Sequence, residues 1–99
     1  MAKEFTIKNS EELPKIMESK DYEISKSIID SVLRNLNNKK KHIHVISIFC
    51  EEEGDMFDLT LERNNFLSVL KLNLPTFEKH EDYEGCIKIQ NAINQLNSL

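Results

Sequence analysis

The sequence has no long apolar run, no glycine-rich segment and few cysteines. Of its 99 residues, two are Gly, two are Pro and two are Cys. No stretch approaches the roughly 20 apolar residues that span a bilayer, and the first five residues lack the apolar run of a signal peptide. There is no glycine-rich loop to hold a phosphate and no Ser–His–Asp arrangement that the spacing supports. These absences argue against a membrane protein and against an enzyme, and they predict no cofactor.

The two cysteines predict no disulfide. Cys50 ends a predicted strand and Cys86 lies in a predicted helix, and both fall on apolar faces. A nucleophilic cysteine needs an adjacent base and an exposed, electropositive setting, which the sequence indicates for neither. We interpret both as reduced core residues, consistent with a cytoplasmic protein.

Composition predicts one globular domain over residues 1–99. Its 39% apolar and 30% charged residues are typical of a soluble protein on the polar side. The net charge of −4 argues against a general nucleic-acid binder, which would normally be basic. The chain is rich in Asn, Lys and Ile, which hints at an AT-rich genome such as that of a low-GC bacterium or its phage.

A β-hairpin over residues 42–63 is the predicted centre of the fold. Its first arm is rich in β-branched residues, and its second arm alternates apolar with polar residues. If Glu53-Gly54 is a two-residue loop, one face becomes almost wholly apolar and needs a cover of helices. This register pairs Cys50 with Phe57, Ile48 with Leu59, Ile46 with Leu61 and His44 with Arg63.

Residues N-terminal to the β-hairpin predict a loose lead-in and a helical hairpin. The lead-in covers residues 1–9, where Phe5 and Ile7 suit a short edge strand. The helical hairpin covers residues 10–37, with Ser10 as the N-cap of a short helix and Asp21 as the N-cap of a longer amphipathic one.

Residues 64–99 predict a second helical hairpin. Asn64 caps its first helix, and Pro75 must kink that helix or begin a new turn. Asp82 caps the last helix, whose apolar stripe consists of Tyr83, Cys86, Ile89, Ile93 and Leu96. The sequence thus predicts an α+β domain, a two-stranded antiparallel hairpin packed with helices in the order ααββαα.

The C-terminal third, about residues 66–99, resembles the UVR motif, a short antiparallel helical hairpin of excision-repair and regulatory proteins. The residues that carry the resemblance are Phe77, Glu81, Asp82, Tyr83, Glu84, Cys86, Ile89, Ala92, Ile93 and Leu96. The resemblance implies a hairpin that binds another protein, often a second UVR hairpin. Gln90-Asn91 stands where the family carries an Arg-Asp pair, so any contact made by that pair cannot be transferred. Gly85 and Ile87 also depart from the pattern.

The histidines and carboxylates do not predict a chemical site. His42 and His44 share a strand face, but Cys50 lies roughly 20 Å further along it, so one ion cannot bind both ends. His80 has no place in such a site, and no metal is predicted. The carboxylates of residues 51–55 and 78–84 fall in turns and on solvated faces, where nothing separates their pKa values for acid–base chemistry.

The best candidates for contact with a partner protein lie on the last helix and on the β-hairpin. Ile87 is one position beyond Cys86, about 100° round the helix, and we expect it to be exposed beside lightly charged residues. Glu81 and Asp82 would form the rim of that surface. Val45 and Phe49 stand on the polar face of the β-hairpin, so either a helix covers them, which we expect, or they meet a partner.

The favoured function is therefore non-catalytic: a small cytoplasmic adaptor or regulator that binds another protein or itself as a dimer. A phage-encoded inhibitor of a host or defence protein is one form of this hypothesis. The alternative is a nucleic-acid or ribonucleoprotein binder that uses Lys39, Lys40 and Lys41 to hold phosphates, although no aromatic platform accompanies them.

Overall fold

The computed structural model describes residues 3–15 and 21–98. Three strands, β1 to β3, and three helices, α1 to α3, are labelled in chain order. Two 3₁₀ turns, Ser10–Glu12 and Arg63–Asn65, precede helical segments, and residues 13–15 are helical. The predicted short helix extends beyond residue 15 into residues that lie outside the described ranges. The labelled elements are β1 (Lys3–Ile7), α1 (Asp21–Arg34), β2 (His42–Cys50), β3 (Asp55–Glu62), α2 (Phe66–Lys79) and α3 (Tyr83–Asn97).

The described residues form an α+β fold on a three-stranded mixed sheet, so the two-stranded prediction was incomplete. The strand order is β1-β2-β3. β1 is parallel to β2 and sets Phe5 beside Ile48 and Ile7 beside Cys50. Both β1 side chains are buried, which confirms the expected edge strand. β2, the longest of the three strands, lies at the centre of the sheet.

The predicted register of the β-hairpin was wrong by two residues at its closed end. Ile48 lies opposite Phe57 and Cys50 opposite Asp55, so the loop has four residues, 51–54. The reason is a long-range contact. The amides of Glu51 and Glu52 donate to the carbonyls of Ile7 and Lys8 at 3.0 and 2.9 Å, respectively. Because these amides bond to the last residue of β1 and to the residue after it, they do not extend the ladder with β3.

An irregularity in β2 breaks the alternation at its other end. The register shifts between His44 and Ile46, and beyond it Ile43 lies opposite Leu61. Val45, which the alternation placed on the polar face, is only 4% exposed. A bulge inserts one residue into a strand and changes the direction in which the neighbouring side chains point. Ile43, Val45 and Ile46 are therefore all buried.

Helix ends follow their predicted caps only in part. Asn9, not Ser10, caps the first 3₁₀ turn by accepting from the amide of Glu11 at 3.0 Å. Asn65, not Asn64, precedes α2, and it makes no side-chain cap bond. The cap at Asp82 is confirmed by its bond to the amide of Gly85 at 3.0 Å.

Pro75 does not begin a new turn, because α2 continues through it to Lys79. Proline leaves the carbonyl four residues earlier without its helical donor. Two residues before that proline, the Asn73 side chain donates to the Val69 carbonyl at 2.7 Å.

The core lies between β2 and the helices. α1 packs on β2 and on α2, and α2 packs along α3. The fully buried side chains of the core include Ile29 and Val32 of α1, Ile46 of β2, Phe66 and Leu70 of α2, and Ile89 of α3. Among the helices described, none has the length and apolar character needed to cross a membrane.

Candidate interaction surfaces

The outer side of α3 presents two large apolar side chains to solvent. Tyr83 is 64% exposed and Ile87 is 62% exposed, and they are four positions apart on one helix face. Gln90 and Asn94 continue that face, and the Gln90 amide donates to Asn94 at 3.3 Å. We call Tyr83, Ile87, Gln90 and Asn94 the α3 strip. It carries no formal charge in a chain that is 30% charged.

Tyr83 had been assigned to the buried stripe of α3 and lies outside it. The buried side of α3 consists of Ile89, Ala92 and Ile93, with Cys86 and Leu96 partly buried. At about 100° per residue, Tyr83 lies about 40° round the helix from Ile87 and about 120° from Ile89, so it shares the face of Ile87.

Glu81 and Asp82, the predicted rim of the α3 surface, have different roles. Glu81 is exposed and has a φ of 57°, in the left-handed region. Both carboxylate oxygens of Asp82 accept hydrogen bonds from within the chain. One accepts from the Gly85 amide, and the other accepts from the Tyr22 hydroxyl at 2.5 Å. Asp82 therefore joins the start of α1 to the turn between α2 and α3.

Tyr22 sits in a small aromatic cluster against that turn. Its ring stacks on His80 at 4.7 Å between centroids and meets the edge of Phe77 at 5.5 Å. The hydrogen bond to Asp82 and desolvation by burial raise the pKa of Tyr22 to about 12. The same bond, together with that from Gly85, lowers the pKa of Asp82. The folded state thus favours the phenol and the carboxylate.

The bond between Tyr22 and Asp82 stabilises the fold over a defined pH window. A raised pKa in the folded state gives stability that is complete below the ordinary tyrosine pKa, about 10, and is lost as pH rises through the folded value. A lowered pKa gives stability that is present above the ordinary aspartate pKa, about 3.9, and is lost as pH falls through the folded value.

The β-hairpin offers a different exposed surface from the one predicted. Val45 is in the core and Phe49 is half-buried, so Val45 is not available to a partner. On β3, in contrast, Met56, Phe57 and Leu59 are 47%, 45% and 42% exposed. The alternation had correctly put Phe57 and Leu59 on the core-facing side of the sheet. It gave no information on whether a helix reaches them, and their exposure was missed for that reason.

A basic groove lies at the far end of β2. It has a volume of about 420 Å³, and its lining includes Arg34, Lys40, His42 and His44. Lys39 and Lys41 are exposed beside Lys40. Two carboxylates offset this charge, since His42 lies 3.7 Å from Glu62 and His44 lies 3.4 Å from Asp58. Among the described residues that line the groove, none is Phe, Tyr or Trp.

The surroundings of Cys50, Cys86 and Glu53 indicate structural roles for these residues. Burial raises the pKa of both Cys50 and Cys86, which disfavours the reactive thiolate. Ser10 donates to the Glu53 carboxylate through its hydroxyl at 2.7 Å and its amide at 3.0 Å, and these bonds lower the pKa of Glu53. Within residues 3–15 and 21–98, His, Cys, Asp and Glu form no cluster suited to a metal ion.

Comparison with family models, with curated proteins and with solved structures finds no match to this chain.

Proposed function

We propose that this chain acts by binding another protein, as an adaptor or regulator, and not by catalysis. The observation that supports this proposal is the α3 strip, where Tyr83 and Ile87 are both more than 60% exposed. Large apolar side chains on an uncharged strip suit the centre of a protein interface, where charged residues are depleted and aromatic residues are enriched. The resemblance of this region to a partner-binding helical hairpin is in keeping with the proposal.

The binding surface consists of the α3 strip with Glu81 at its rim. Asp82 supports the surface from within, because its carboxylate fixes the first turn of α3. Leu72 of α2 is more exposed than either strip residue, but single exposed leucines are common on protein surfaces. Two apolar side chains one helical turn apart form a larger target for a partner.

The test uses the full chain as bait in an extract of the source cell, with and without nuclease. Ile87→Glu adds one negative charge to the strip at a position where the side chain is solvated. Lys88→Gln is the matched control, since it changes the net charge by the same amount about 100° round the helix. We expect a nuclease-resistant protein that is captured by the unaltered chain and by Lys88→Gln but is lost with Ile87→Glu.

Capture that survives Ile87→Glu in a folded chain would remove the α3 strip from the interface. Circular dichroism and the thermal midpoint of each variant show whether it is folded. Absence of any nuclease-resistant partner would count against the proposed function itself.

The basic groove supports a second candidate function, the binding of nucleic acid. Arg34 and Lys40 line the groove, and the two lysines that flank Lys40 add to its positive charge. If these side chains hold phosphates, affinity falls with salt at a log–log slope of about −0.7 to −0.9 per phosphate contact. Replacement of Lys39, Lys40 and Lys41 by Gln would then abolish binding. We expect no such binding at physiological salt, because Asp58 and Glu62 border the groove.

A further inference from the structure

Among the described residues, β3 is an outer strand of the sheet and is eight residues long. The sheet order places it at one side, with β2 as its neighbour. An antiparallel ladder uses the N–H and C=O groups of alternate residues, so the remaining groups of β3 point away from β2. Natural edge strands are usually protected by charged side chains, especially Lys, or by Pro, a bulge or short length. β3 has eight residues without Pro or Lys, its charged side chains are Asp55, Asp58 and Glu62, and the register shift lies on β2.

The apolar side chains of β3 extend the core face without being covered. Phe57 and Leu59 lie opposite Ile48 and Ile46, which are buried at 4% and 0% exposure. Leu61 is partly buried and packs against the core. The apolar face of the sheet therefore continues past the core to its margin at β3, where a neighbouring strand would cover it.

We infer that the neighbour is β3 of a second copy of this chain, paired antiparallel about a two-fold axis at Leu59. In this register Phe57 faces Leu61 of the second copy, and Leu59 faces its own counterpart. Asp58 faces Thr60 on the opposite side of the sheet. The two three-stranded sheets become one sheet of six strands, and the core faces of both copies lie on the same side.

Charge selects this register over its neighbours. A two-fold axis perpendicular to the sheet pairs residues of equal parity, so the centre falls on a residue. A centre at Asp58 sets two Asp58 carboxylates opposite each other, and a centre at Thr60 sets Asp58 opposite Glu62 twice. Like charges in direct opposition destabilise a strand pair. Among these three central registers, only the one at Leu59 sets no carboxylate directly opposite another.

The free edge of β3 is separate from the α3 strip, so dimerisation through β3 can be confirmed or refuted independently of the proposed function. Self-association is measured by sedimentation equilibrium of the purified full chain over a range of concentrations. The expected result is a reversible dimer.

Thr60 provides the matched variants because its exposed side chain faces Asp58 of the second copy in the inferred register. Thr60→Glu sets a glutamate carboxylate opposite Asp58 of the other copy, and the two-fold axis repeats this contact. It is expected to raise the dissociation constant about 2- to 30-fold, from two contacts of about 0.2–1 kcal/mol each. Thr60→Lys opposes unlike charges and is expected to lower it. Thr6→Glu adds the same charge at an exposed position of β1 and is expected to leave the dimer unchanged.

Disulfide cross-linking between the two copies identifies the residue at the centre of the paired β3 strands. In a Cys86→Ser background, Leu59→Cys is expected to form a disulfide-linked dimer on mild oxidation, because side chains directly opposite each other lie about 5 Å apart. Glu62→Cys, at the end of the strand and opposite His42 of its own chain, is expected to form none. A chain that stays monomeric, equal association of the two Thr60 variants, or cross-linking at residue 62 in place of 59 would each overturn the inference.

Discussion

Gly85 is the position where a single methyl group tests how α2 and α3 pack. It lies in the first turn of α3, next to the ring of Phe77 and the cap of Asp82. A Cβ atom there would lie 2.6 Å from Cε2 of Phe77 and 2.8 Å from Oδ2 of Asp82. Both distances are shorter than van der Waals contact, and Phe77 is buried against Tyr22, so the ring has little room to move.

The expected effect of Gly85→Ala is the sum of opposing contributions. Ala in place of Gly in a helix normally stabilises by about 1 kcal/mol. Overpacking in a buried site costs about 1–3 kcal/mol. Displacement of Asp82 from its cap costs about 1 kcal/mol more. We therefore expect a net destabilisation of about 1–3 kcal/mol, which lowers the thermal midpoint by about 4–8 °C for each kcal/mol.

Thermal and urea unfolding followed by circular dichroism measure this effect. Asn91→Ala, at an exposed position of α3, is the control and is expected to leave stability unchanged or raise it slightly. Phe77→Leu removes the ring that Ala would meet, so Gly85→Ala is expected to cost at least about 0.5 kcal/mol less in that background. If Gly85→Ala stabilises the chain, or if its cost is the same with Leu at position 77, the packing described here is incorrect.

Two further predictions concern pH and the faces of the sheet. In a Tyr83→Phe chain, the remaining tyrosine, Tyr22, is expected to ionise near pH 12 in an absorbance titration, and stability is expected to decline from about pH 10 upward. Asp82→Asn should lower the pH at which Tyr22 ionises. An unchanged ionisation midpoint would exclude the bond to Asp82 as the cause of the raised pKa. Ile48→Ala is expected to cost about 2–4 kcal/mol in urea unfolding because its side chain is buried. Thr60→Ala should cost within about 0.5 kcal/mol because its side chain is exposed, and equal costs would mean that the faces are misassigned.

Periodicity in the sequence predicts which side chains share a face better than it predicts which residues pair. Ile46, Ile48 and Leu59 do share a face, because a slip of two residues preserves parity. The slip itself depends on the amides of Glu51 and Glu52, which bond to the carbonyls of Ile7 and Lys8 at the end of β1. Local pattern contains no information on such a contact between distant segments.

The same limit applies to the candidate surfaces. The helical angle from Cys86 placed Ile87 at the surface, where the structure has it. The cap at Asp82 was also predicted from local sequence. Its bond to Tyr22, 60 positions away, requires knowledge of how α1 approaches the hairpin of α2 and α3. The exposure of Leu59 depends in the same way on how far the helices extend across the sheet.

The attachment of β1 to the sheet has a consequence for the order of folding. Ser10 and Glu53, which hold the end of β1 against the loop, are 43 positions apart, whereas the β2–β3 and α2–α3 hairpins close over short turns. Because the entropy of loop closure must be offset before such contacts form, we expect β1 to dock late and to be released early. Its release exposes a second free edge, on β2, beside buried Ile46 and Ile48. The bonds between Ser10 and Glu53 therefore disfavour this opening and the edge-to-edge aggregation that it would permit.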